Sequence, residues 1–179
     1  WIPNFHNQDA KDTLIDNGGN TLDEVNPNWY SLSGRHIVHN RSLSRQLEPI
    51  MQATGVRIVP VISGFSDKTI SDLKTYTAQE MAITDIKNLI TANDFAGVEI
   101  RFGAVKTHAS HTMISFLSSL SRSLKLQNKT LSISVAVETI LQSDKNIAED
   151  ETFLNAADTV KIRLASKMDI SRPQATTSK

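Results

Sequence analysis

Between Ala78 and Gly103 the apolar positions change period, and the change predicts a helix feeding a strand. Ala82, Ile86, Leu89 and Ile90 recur at helical spacing and give one apolar face. Val98, Ile100 and Phe102 then alternate with Glu99, Arg101 and Gly103, which is the two-residue period of a strand. That alternation sends the two sets to opposite faces, so Glu99 and Arg101 point the same way, one rung apart, and can neutralise each other.

The same patterning extends along the chain. Trp1 to Phe5 reads as a first strand, and Asn17-Gly18-Gly19-Asn20 ends the polar loop after it. Thr21 to Leu32 is a second extended segment closed by a turn at Ser33-Gly34-Arg35. Leu43, Leu47, Ile50 and Met51 share a helical face that ends near Gly55, a residue suited to a helix C-terminus. Arg57 to Gly64 is a third strand, although Pro60 cannot donate to its ladder. Asp67 to Tyr76 is a polar connection with some helical character. Met113, Leu117, Leu120 and Leu124 mark a further amphipathic helix. In the fifth strand, Lys129 to Glu138, residues Ser132, Ser134, Ala136 and Glu138 share one face while Ile133, Val135 and Val137 share the other. Glu149 to Ala156 is a short helical patch, Asp158 to Leu164 a sixth strand, and Arg172 to Lys179 a polar tail. Strands alternating with helices give the α/β class, with a parallel sheet and crossover helices. A domain over residues 1–170 and a tail over 171–179 are expected.

The run Phe95-Ala96-Gly97-Val98-Glu99-Ile100-Arg101-Phe102-Gly103 resembles the fourth-strand signature of the chitinase-like family 18 glycoside hydrolases: Phe-Asp-Gly, apolar, Asp, apolar, Asp, aromatic, Glu. Leu22 to Tyr30 is similar to the second strand of the spore-type members. The resemblance implies a TIM-barrel-like (β/α) parallel sheet, a fold that takes eight strands and about 250 residues. The sequence supplies about six strand candidates, so a barrel truncated after the sixth strand is expected, with the first and sixth strands as edges able to pair with another chain. The resemblance also marks departures. The signature's three aspartates stand here as Ala96, Glu99 and Arg101, and its general acid as Gly103. The family's sixth-strand Met, Tyr, Asp ending aligns with Arg163, Ala165 and Ser166. Family 18 enzymes use the substrate's own acetamido group as nucleophile and one glutamic acid as proton donor. General acid help is worth about 10² to 10⁴-fold in rate, so a glycine at that position implies a barrel without ordinary chitinase activity.

Composition narrows the chemistry further. Basic and acidic residues balance at 19 each, which gives no electrostatic argument for nucleic acid. The absence of cysteine excludes disulfides, thiol catalysis and cysteine metal sites. No apolar run approaches the roughly 20 residues of a membrane helix. The first residue is Trp1, so a leader or a preceding region is expected to have been removed. Asn40-Arg41-Ser42 and Asn128-Lys129-Thr130 fit the glycosylation sequon. Ser63-Gly64 lacks the nucleophile-elbow frame and no glycine-rich phosphate loop follows the first strand, so serine hydrolase and nucleotide chemistry have no support. His108 and His111 lack an acid at ligand spacing, and neither a metal nor a cofactor is expected.

The candidate site is therefore a polar barrel interior. Glu99, Arg101, Glu138, Lys161 and Arg163, if all inward, bring two acids and three bases together, either as an anion- or sugar-binding floor or as a self-satisfied polar core. Glu138 and Glu99 are the acids to consider for catalysis, with Glu138 the displaced proton donor to test. Trp29, Tyr30, Trp1 and Phe102 are the aromatic candidates for stacking on sugar, and of Trp29 and Tyr30, adjacent in a strand, one is expected to reach the rim. Three functions follow: an inactive chitinase-like binder of N-acetylglucosamine-containing glycans in a secreted or surface setting, an active glycosidase using Glu138, or a structural piece whose sheet edges dock a partner chain or a second copy.

Overall fold

The computed structural model describes residues 23–39, 55–103, 111–137 and 151–163. The predicted first strand, the helix around Leu43 to Met51 and the C-terminal tail lie outside them.

The second and third extended segments each divide where proline interrupts them. The first gives β1 (Glu24–Val25) and β2 (Tyr30–Ser33), separated by a stretch containing Pro27. The other gives β4 (Arg57–Ile58) and β5 (Val61–Phe65), with Pro60 between them. Pairing survives the breaks: the carbonyl of Pro60 accepts from Glu99 N at 2.9 Å, and that of Pro27 from Val61 N at 2.8 Å. A strand absent from the sequence reading, β3 (His36–His39), folds back antiparallel on β2 through Gly34, whose φ is +62°.

Two short connections carry their own start signals. Ser66 caps α1 (Asp67–Asp72) in a reciprocal box with Thr69, and Thr75 accepts from Ala78 N to open α2 (Tyr76–Ala92). The remaining elements are β6 (Gly97–Phe102), α3 (His111–Lys125), β7 (Thr130–Ala136), α4 (Glu151–Leu154) and β8 (Thr159–Arg163). The six-stranded sheet has the order β3-β2-β5-β6-β7-β8, parallel throughout except for β3, and β1 pairs with β4 in parallel beside it.

One face of the sheet is apolar and packs under the helices. Ile62, Val98, Ile100, Phe102, Leu131, Ile133 and Val135 from the strands meet Ala82, Ile83, Ile86 and Ile90 of α2 and Met113, Phe116, Leu117, Leu120 and Leu124 of α3, all buried. Phe65, Phe102, Phe116 and Phe153 interlock with ring centroids 5.7 to 5.9 Å apart. The opposite face bears the polar side chains, the inverse of an open sheet with a solvated back.

That polar face is concave. Lys161 of β8 reaches Glu24 of β1 at 3.2 Å, although the two columns are four strand spacings apart, roughly 19 Å in a flat sheet. The sheet must curl for the two to meet, as barrel strands do.

Candidate functional site

The interior network is built from strand alternation and register. Glu99 and Arg101 share the inner face of β6, with Ser132 and Ser134 opposite them on β7, and Thr159 and Lys161 beyond those on β8. Because β7 presents only small groups inward, long side chains on its neighbours can cross above it. Lys161 turns toward the N-terminal end of the strands, where its ammonium donates to Glu24 Oε1 at 3.2 Å, Asn26 Oδ1 at 3.1 Å and Glu99 Oε2 at 3.2 Å. The other oxygen of Glu99 accepts from Arg101 Nη2 at 3.3 Å. Asn26 Nδ2 donates to Glu24 Oε1 at 3.0 Å and to the carbonyl of Val59 at 3.1 Å. Arg57 lies 3.8 Å from the second oxygen of Glu24.

Glu99 is the buried member of this cage, with 2% of its side chain exposed, and each of its oxygens holds a cation. A carboxylate cannot stay charged away from water without such partners. The sequence reading placed Glu99, Arg101, Lys161 and Arg163 on one face, and the structure brings the first three into contact. Arg163 reaches over Ala136, its register partner on β7, and donates from Nη2 to the carbonyl of Phe102 at 2.8 Å.

Glu24 and Asn26 were missed as site residues. Glu24 and Asn26 lie just ahead of Pro27 at the end of a two-residue strand, and only the curl of the sheet reveals that they face Lys161. Glu138 lies outside the described residues, as does His108. His111 begins α3 and is exposed.

The expectation that Trp29 or Tyr30 reaches the rim is corrected by the structure: they are 2% and 3% exposed. Alternation does not govern the pair, because Trp29 belongs to the irregular stretch ahead of β2 while Tyr30 opens the strand. Both rings pack on Phe95, at 6.4 and 6.3 Å between centroids. Tyr30 also lies against His39 of the unforeseen hairpin strand, at 4.6 Å.

Gly103 follows β6 at the C-terminal end of the strands, the end at which barrel sites are built. Among the described residues, a methyl group added there would meet only the carbonyl oxygen of Phe65, at an ordinary 3.8 Å. The described neighbours therefore leave room for a Cβ at this position. Among the described residues no group of three metal-ligating side chains comes together, and no helix is long and apolar enough to cross a membrane.

No family model matches the sequence, and no curated protein matches it. Solved structures do. A chitinase from Chromobacterium violaceum superposes with a TM-score of 0.65 at 15% identity, over 84% of this chain and 50% of its own. The spore cortex-lytic enzyme SleL of Bacillus megaterium gives 0.72 at 16% identity, over 87% of this chain and 38% of its own. YKL-39, solved in the presence of chitooligosaccharides, gives 0.64 at 12% identity, over 78% of this chain and 42% of its own. The chain thus matches half or less of each of these structures. The parallel order, the curled sheet and these superpositions agree: the chain has the chitinase-like (β/α) barrel fold of the family 18 glycoside hydrolases, represented here by a partial barrel.

Proposed function

We propose that this chain binds N-acetylglucosamine-containing glycans on a chitinase-like barrel and does not cleave them. The observation that carries the reading is the pairing of Gly103 with Glu99. Glycine stands where the resemblance puts the proton donor, and the buried carboxylate on the same strand has both oxygens taken by Lys161 and Arg101. Glu99 is thereby a structural counter-ion. The polar inner face supports a hydrophilic ligand, and the likeness to YKL-39, solved with chitooligosaccharides, supports a glycan as that ligand.

Retention on chitin, and titration with N-acetylglucosamine oligomers while release of reducing ends is followed in the same samples, tests the reading. Binding without release is expected. Release that persists after removal of contaminating hydrolases would overturn the inactive half of it, and failure to bind would overturn the other half.

Restoring a carboxyl group alone is not expected to restore cleavage. The described neighbours of Gly103 admit a Cβ without a clash, so the stability of Gly103→Glu should stay within about 0.5 kcal/mol of the parent. Its carboxylate would stand two residues from Arg101 on the same strand face and pair with the guanidinium instead of presenting a proton. Reducing-end release by Gly103→Glu would show that Arg101 is no obstacle and that position 103 alone disables the site.

A further inference from the structure

We infer that Asn128 carries an N-linked oligosaccharide, attached on a secretory route before the chain folds. Asn128-Lys129-Thr130 is a sequon with threonine in its third place, and its asparagine is exposed in the folded protein. The inference stands apart from the glycan-binding reading, since here the sugar is a covalent modification.

The local geometry makes room for it. Asn128 lies in the turn between α3 and β7 with φ at +54°. Its main-chain N–H donates to the carbonyl of Lys125 at 3.1 Å, and that of Lys129 donates to the carbonyl of Leu124 at 3.0 Å. The pair is a helix stop built around one left-handed residue, a place that glycine or asparagine takes. The turn is thus held by main-chain bonds. The side-chain amide of Asn128 has no hydrogen-bond partner among the described residues, so exchanging one of its hydrogens for a sugar breaks no bond there. Leu126, two residues earlier, is 84% exposed and borders a groove of about 440 Å³ that Ser118, Ser121 and Asn155 also line. A pyranose has apolar faces and a rim of hydroxyls, and this surface sets an exposed aliphatic side chain beside hydroxyls and an amide. The turn stands at the N-terminal end of the strands. An oligosaccharide there leaves clear the opposite end, where barrel sites are built.

The folded state also sets when the transfer occurs. Thr130 belongs to β7, where its N–H donates to the carbonyl of Ala96 at 3.2 Å and its hydroxyl to the same oxygen at 3.5 Å. A transferase that reads asparagine and hydroxyl together needs this segment extended and free, so it acts before β7 joins β6. The donor is a lipid-pyrophosphate-linked oligosaccharide. Asn128 Nδ2 bonds to the anomeric carbon of its first sugar, the bond from that carbon to the pyrophosphate oxygen breaks, and the lipid pyrophosphate leaves. The proton lost by the amide passes to the transferase.

The test is cell-free translation of the whole chain behind a secretory leader in the presence of microsomes. Added mass that peptide-N-glycosidase removes is expected, with aspartate left at position 128 in the peptide map. Asn128→Gly should lose that modification completely, and its unglycosylated form should melt at the parent's midpoint or above, because glycine suits the left-handed turn. Thr130→Ser keeps the hydroxyl and should keep the sugar. Translocated chains bare at Asn128 would overturn the assignment, as would sugar confined to Asn40, the asparagine of the other sequon. A melting midpoint several degrees lower for the glycosylated chain would show that the turn does not accommodate the sugar. Purified transferase with its lipid-linked donor tests the order of events: the destabilised Phe102→Ala chain should be modified at least several-fold faster than the folded parent. Equal rates would overturn transfer before folding.

Discussion

Gly97→Val is expected to prevent the chain from folding, and Gly97→Ala to cost at least about 3 kcal/mol, beyond the usual range for an overpacked core position. Gly97 pairs in register with Thr130 at the point where β6 and β7 approach each other. A Cβ built there collides with the carbonyl oxygen and the hydroxyl of Thr130 and lies 2.9 Å from its backbone nitrogen. The obstructing atoms are mostly main chain, so rotating a side chain gives no relief. Opening the two strands would break the central ladder of the sheet and part the apolar face above it. Soluble yield and urea midpoints measure the effect. Thr130→Ala in the Gly97→Ala background removes only the hydroxyl contact and should recover a minor part of the loss. A Gly97→Ala variant within 0.5 kcal/mol of the parent, about the scatter of neutral surface changes, would show that this close approach is not required.

Phe102→Ala is expected to cost about 3 to 5 kcal/mol, and for a chain of this size that lowers the melting midpoint by on the order of 10 °C. Phe102 has no exposed surface and contacts Phe65 from β5 and Phe153 from α4, at 5.7 and 5.8 Å between ring centroids. Phe65 in turn meets Phe116 of α3 at 5.9 Å, so one ring holds together elements drawn from most of the described chain. Truncation leaves a cavity lined by aromatic rings that cannot collapse without moving α3 or α4. Phe102→Leu, which keeps most of the volume, should cost about 1.5 kcal/mol or less. Equal losses for the two variants would mean that the ring's shape and volume are not what the core uses.

Both predictions concern the stretch whose pattern was plainest in the sequence. The β6 alternation, the apolar faces of α2 and α3, and the small inner residues of β7 were legible because each is a local periodicity that packing reinforces. The Phe-x-Gly frame of the resemblance gains a physical reason here, since Gly97 must be small for the strands to approach. The β2–β3 hairpin was not legible: Gly34 signalled a turn, but His36-Ile37-Val38-His39 is too short and too polar at its ends to announce a strand. Nor was the burial of Trp29 beside Tyr30, which depends on Pro27 interrupting the extended segment, so that a rule for regular strands no longer applies. Half of the charge cage was visible as inward residues on β6 and β8. The rest, Glu24 and Asn26, is joined to it only by curvature, which no window of sequence contains.

The bridge between Lys161 and Glu24 joins residues 137 positions apart. It therefore bears on the order in which the protein can assemble. As the chain leaves the ribosome, Glu24 and Glu99 emerge well before the ammonium that stands between them, and until β8 arrives Glu99 has Arg101 as its cation within this cage. Burying a half-compensated carboxylate is unfavourable, so the curl of the sheet is a late event, completed when a distant strand docks. Contacts of such long sequence separation slow folding and leave open sheet edges exposed in the meantime. A nascent chain of this kind depends on its last described strand to complete the curl, and β7 stands as an unpaired edge in the interval before that strand is made.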